Sequence, residues 1–192
     1  MARFLIPCLV GAIVVLGATV YGLSTPGLGG GKQPALADPS TMAPPDTALE
    51  MAGQAAPDFT LIDADGKQRS FDEFKGQVVL LSFLDLTCDI CTHEARQLQT
   101  EYWQKHRDKG LAVVGLGVHF DDDPLEETQR FREVNRLSFP LLLDDELEMW
   151  GRYRVTVTPT NFVIDREGQV RRVVPQFDRD AIDEMLAELG AL

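Results

Sequence analysis

Residues 78–110 read VVLLSFLDLTCDICTHEARQLQTEYWQKHRDKG, and the fold turns on them. From Val78 to Leu84 the run is nearly continuous in apolar residues, the pattern of a strand covered on both faces rather than one with a wet side. From about Cys88 to Arg107 the period changes. Ala95, Leu98 and Tyr102 recur at three- and four-residue spacing, and Gly110 supplies a stop. A buried strand therefore runs into a helix, and Cys88 and Cys91 stand at the junction with two residues between them.

Downstream, Leu111 to Val118 is a second buried run. Asp123, Pro124 and Glu126 provide an N-cap, a first-turn proline and an acid at the positive end of another helix, with Phe131 and Val134 expected to face inward. Phe139 to Leu143 is a short extended segment, and residues 145–153 a short helix expected to bury Leu147 and Trp150. Asn161 to Ile164, the turn Asp165 to Gly168, and Gln169 to Val174 form an antiparallel pair. A last helix lines up Ile182, Met185, Leu186 and Leu189. Upstream, Phe59 to Ile62 and Lys67 to Ser70 flank a Gly66-containing turn, after which Ser70 caps a short turn holding Phe71 and Phe74. The class is α/β: a mixed sheet with helices on both faces and an N-terminal hairpin extension.

At 192 residues, 44% hydrophobic and 25% charged, the chain suits one globular domain with extensions and argues against a multi-span membrane protein. The net charge of -12 makes phosphate backbones and anionic lipid surfaces poor partners, so nucleic acid is not expected. Residues 1–37 hold Arg3 and Lys32 and no acid, so the acidic surplus belongs to the remainder. Phe4 to Leu23 is uncharged and long enough to cross a bilayer once, and Arg3 favours keeping the short N-terminus in the cytoplasm. Residues 1–23 are thus read as a membrane anchor or signal segment, with the domain on the periplasmic side. Ala35, Leu36 and Ala37 spell a small-x-small cleavage pattern, which leaves open an anchored or a secreted domain. Cys8 reads as an apolar membrane residue. Residues 24–56, with Pro26, Pro34, Pro39, Pro44, Pro45 and a Gly29 to Gly31 run, read as a flexible linker, and residues 57–192 as the folded domain.

The cysteine pair at a strand-to-helix junction, and the Thr158, Pro159, Thr160 segment before a strand, resemble the thioredoxin fold. Within it the chain is similar to the TlpA/ResA-like thiol:disulfide oxidoreductases of the redoxin (AhpC-TSA) superfamily. The similarity runs from about Gln54 to Leu192 through APDFTL at 56–61, CDICTHE at 88–94, FPLLLD at 139–144 and VTPTNFVIDREG at 157–168. It implies that Pro159 is a cis proline facing the cysteines, that Thr158 offers its backbone to a bound peptide, and that Glu94 handles protons near the thiols. It also implies protein clients bearing a thiol or disulfide, such as apocytochrome c or a copper-site protein, a membrane thiol reductase of the CcdA or DsbD type as electron donor, and no bound cofactor. The chain departs from the pattern where an aromatic residue usually precedes the first cysteine: Leu84, Asp85, Leu86 and Thr87 stand there. Ser82 occupies a strand position where thioredoxin has a buried acid, which removes that proton route.

A thiol attacks a disulfide only as thiolate, so the pair needs one sulfur favoured as an anion and a second to resolve the mixed disulfide. The helix start favours negative charge at Cys88, which makes it the expected nucleophile, with Cys91 facing inward as the resolving thiol. Asp89 adds a negative charge beside Cys88 and is expected to make the pair more reducing. Structural zinc wants four ligands, but this region has no other cysteine, and His93 is badly directed for sharing an ion with Cys91. Two other functions compete. A peroxiredoxin-like peroxidase is disfavoured because its threonine three residues before the reactive cysteine is here Asp85. A Sco-like copper-delivery factor would use Cys88, Cys91 and a distant histidine, for which His119 is the candidate.

Overall fold

The structure is a computed structural model that describes residues 47–118 and 123–192. The apolar leader, Cys8, most of the linker and His119 lie outside the described residues.

Seven strands form one sheet: β1 Thr60–Asp63, β2 Gln68–Ser70, β3 Val78–Asp85, β4 Leu111–Val118, β5 Leu141–Leu143, β6 Thr160–Ile164 and β7 Val170–Pro175. Their spatial order is β2-β1-β5-β4-β3-β6-β7. β3, β4 and β5 run parallel, and the remaining pairs are antiparallel. β3 lies between β4 and β6, where its unbroken apolar run meets cover on both sides. Alternate residues split the core. Val79, Leu81 and Phe83 face one layer with Phe59, Phe71, Met149 and Tyr153, while Val78, Leu80 and Leu84 face another with Cys91, Ala95 and Leu98.

The second layer is built by α1 Asp89–Gln97, a π-turn Leu98–Trp103, α2 Gln104–His106, α3 Pro124–Val134 and α5 Arg179–Glu188. The first holds α4 Glu148–Arg152 and two 3-10 turns, Thr47–Met51 and Phe71–Phe74. Phe83 packs against Trp150, Tyr153 and Phe162 there, at centroid distances of 5.2 to 6.0 Å. Ser70 caps the second 3-10 turn with Glu73 answering in a full capping box. The long helix ends at Gly110, with φ 88.

Three expectations are corrected. Val134 is 67% exposed rather than inward, because the buried stripe of α3 runs through Thr128, Phe131 and then Asn135, whose amide donates to the Phe131 carbonyl at 2.8 Å. Leu147 is exposed and stands before α4 at φ 56; the helix starts later than expected because the buried Asp144 carboxylate accepts from Met149 N and Trp150 N, which turns Met149 inward instead. Residues 47–56 belong to the folded body rather than to a linker. Ala48 and Met51 are buried, Gly53 N donates to Val170 O at 2.7 Å, and Ala56 N to Gly168 O at 2.9 Å. Their alanine- and proline-rich surroundings conceal only two core side chains, too few to give a periodic signal.

Candidate active site

The site assembles where β3 ends. Leu86 N donates to Val118 O at 2.9 Å, so the chain leaves the sheet one residue late, and the Leu86 side chain rests over Gly117, where a Cβ would lie 3.0 Å from its methyl carbons. Asp85 then folds the next turn. Its carboxylate accepts from Thr87 N at 2.8 Å and Thr87 Oγ1 at 2.7 Å, and its carbonyl accepts from Cys88 N at 3.2 Å. Cys88 is the N-cap residue of α1 and makes no side-chain capping bond, which leaves the first-turn amides for a charge developing at the sulfur. Thr92 secures the same turn, its amide and hydroxyl both donating to Cys88 O at 2.9 and 3.0 Å.

The two thiols are free and unequal. Cys88 is half-buried and Cys91 has no exposed surface. Burial pushes the Cys91 thiol up to about 12, although the Asp85 amide and the Thr158 hydroxyl both reach its sulfur and act in the other direction; the neighbouring Cys88 raises it further. The Thr158–Pro159 bond is cis, and Pro159 is buried. Thr158 thus bears on the second cysteine through its side chain. The exposed Ile90, at 65%, and Val157, at 38%, flank the pair.

Glu94 follows Cys91 by three residues, on the same helical face, and is 1% exposed. Ser82 Oγ donates to Glu94 Oε1 at 2.9 Å. Ser82 pairs in register with Asn161 on β6, whose side chain acts on the carboxylate while its Nδ2 donates to Gln176 O at 3.4 Å. Burial outweighs the lowering influence of Asn161 and Ser82 and raises the Glu94 carboxyl to about 7. Glu94 Oε2 and Asn161 Oδ1 are both buried without a hydrogen-bond partner among the described residues. The place over Ser82 that the sequence leaves without an acid is therefore filled by a carboxylate from the helix. Asn161 is the site residue sequence reasoning missed; its signal was a lone amide in a strand otherwise apolar from Phe162 to Ile164.

His93 is exposed, and among the described residues no group of three or more His, Cys, Asp or Glu gathers to hold a metal ion. The arrangement supplies an accessible sulfur at a helix start, a sheltered second sulfur beside it, and a carboxylate that can change protonation near neutral pH.

Residues 52–173 match the AhpC/TSA family. The thiol-disulfide oxidoreductase ResA of Geobacillus thermodenitrificans is 28% identical over 122 residues, covering 64% of this chain and 68% of that protein. Its counterpart in Bacillus cereus strain ZK is 28% identical over 138 residues, covering 71% and 78%. Among solved structures, a thiol:disulfide interchange protein from Bacteroides sp. superposes with a TM-score of 0.62 at 25% identity, covering 72% of this chain and 90% of that one.

Proposed function

The chain belongs to the AhpC/TSA family, and on that premise we propose how it works as a thiol-disulfide oxidoreductase: it exchanges two electrons with protein cysteines on the periplasmic side of a membrane. The observation that carries this reading is the inequality of the two sulfurs, one reachable and one sealed, at the start of a single helix.

The reaction divides in two. The Cys88 thiolate attacks one sulfur of a client disulfide; an S–S bond forms between Cys88 and the client, the client's own S–S bond breaks, and its second sulfur leaves as thiolate. Cys91 then gives up its proton and attacks the Cys88 sulfur. The Cys88–Cys91 disulfide forms, the mixed disulfide breaks, and the client departs with both cysteines reduced. Because burial holds the Cys91 proton tightly, the second step needs a base, and Glu94 is the carboxylate next along the helix face with a pKa suited to neutral pH. Ser82 and Asn161 act as positioning residues for it. Thr158 steadies the Cys91 sulfur as the proton leaves, and Pro159 closes the site opposite the cysteines.

The uncharged run Phe4 to Leu23 supports a single-pass anchor in the inner membrane, or a cleaved leader with release to the periplasm. Electrons would come from a membrane reductase of the CcdA or DsbD type, and clients in cytochrome c or copper-site maturation fit a reducing dithiol in that compartment.

Cys88→Ser is expected to abolish insulin reduction, and Cys91→Ser to accumulate a covalent Cys88–client species on non-reducing gels. Full reductase activity in the Cys88→Ser variant would overturn the reading. A Cys91→Ser variant that turns over as fast as wild type would remove the resolving role.

A further inference from the structure

One surface beside the site is at odds with the rest of the molecule. Between α1 and α3 runs a furrow formed by two adjoining cavities of about 250 and 460 Å³, which share Arg96, Val134 and Asn135. Its mouth is lined by Leu86 and Thr87, the residues just before Cys88. Val134 of α3 stands 67% exposed on its wall. Three arginines, Arg96, Arg130 and Arg136, line it. Only Arg130 has an acidic partner there, Glu127 at 3.3 Å; Arg96 and Arg136 form no salt bridge among the described residues.

Arg96 is also held in place. Its Nε donates to Asn135 Oδ1 at 2.8 Å, and Asn135 is buried and tied in turn to Phe131 O. No other group among the described residues bonds this guanidinium, so its two terminal nitrogens are available to an external acceptor, a geometry suited to a carboxylate. A cationic furrow with an apolar wall, in a protein of net charge -12, is a local reversal of the prevailing field.

We propose that this furrow docks an extended segment of the client polypeptide in which an apolar and an acidic residue lie to one side of the reactive cysteine. The apolar side chain packs on Val134 and the carboxylate meets Arg96, with Arg136 beyond. The proposal rests on the oxidoreductase reading above and adds a client preference to it. The spacing follows from the helix: eight residues separate Cys88 from Arg96, about 12 Å of rise. An extended chain covers that in about four residues, so the acid belongs roughly four positions from the client cysteine.

The test uses short peptides carrying one cysteine as a mixed disulfide with thionitrobenzoate, with a Leu-Asp or a Leu-Lys pair about four positions to either side of the cysteine. The readout is the rate of thionitrobenzoate release by reduced protein at low ionic strength, expressed as the ratio of the Asp to the Lys peptide. The overall charge alone would favour the Lys peptide. In one orientation the Asp peptide is expected to react about fivefold faster, and the preference to fade with added salt. Arg96→Glu with Arg136→Glu should invert the ratio, and Arg136→Glu alone, at an exposed position, should reduce it; as ratios within one protein, these values do not depend on how much of a variant folds. Equal rates for the two peptides, a Lys preference, or an Asp preference that survives both charge reversals would overturn the docking proposal. Failure of wild type to release thionitrobenzoate from any peptide would instead overturn the oxidoreductase reading beneath it.

Discussion

Glu94 shows what a residue's neighbours add to its position in a sequence. Its place three residues after Cys91 was legible, as were the cysteines and Pro159, because all lie in short contiguous motifs. Its environment was not, since Ser82 and Asn161 come from two strands that only the sheet register brings opposite each other. Two consequences follow from a carboxyl raised to about 7. The base form grows as pH rises through that value, so the decay of the mixed disulfide should accelerate across pH 6 to 8 in wild type and lose that inflection in Glu94→Gln, as read by quenched-flow trapping of the Cys88–client species. Stability changes in the other direction. Between the unfolded value of 4.5 and about 7 the native state holds a proton that the unfolded chain has released, so stability falls as pH rises through this window. Glu94→Gln keeps the Ser82 bond and removes the buried charge. It should raise stability at pH 8 by up to about 3 kcal/mol and by almost nothing at pH 4, measured by urea denaturation.

The elements were largely legible because most carry their own punctuation. The strand pattern of β3, the Asp123–Pro124 start of α3 and the Gly110 stop of the long helix each needed only a few consecutive residues. The two hairpins share a device that the turn glycines signalled only in part. Asp63 and Asp165 each accept two backbone amides of their turn, and each pairs with an arginine six residues later, Arg69 and Arg171. Helix faces were read less well. Hydrophobicity favours Val134 and Leu147 as inward residues, whereas the backbone needed Asn135 and Asp144 to satisfy helix ends, and a satisfied polar group took the buried place. Close packing between parallel strands gives a direct test at this scale. A Cβ on Gly115 in β4 would lie 2.8 Å from Leu141 Cδ1, with Phe139 at 3.2 Å behind it, both buried. Gly115→Ala should cost about 1–3 kcal/mol in thermal or urea unfolding while leaving the Cys91→Ser trapping behaviour intact.

For the whole molecule the boundary matters most, because the folded body begins earlier than its composition suggests. Residues 47–56 close one face of the core with Ala48 and Met51 and give the β6–β7 hairpin backbone partners at Gly53, Gln54 and Ala56. A chain begun at residue 57 should therefore unfold at a lower urea midpoint than one begun at residue 47, and Met51→Ala in the longer chain should cost about 2–4 kcal/mol. Equal midpoints for the two chains would return this segment to the linker. The sealing of Cys91 has its own consequence for traffic through the protein. With no surface of its own, its sulfur can meet no peroxide, no glutathione and no second client, and among the described residues the one sulfur within its reach is that of Cys88. Every oxidising equivalent must enter and leave by one door, so the molecule serves one customer at a time, and its inner thiol is spared the irreversible oxidation that ends the working life of an open one.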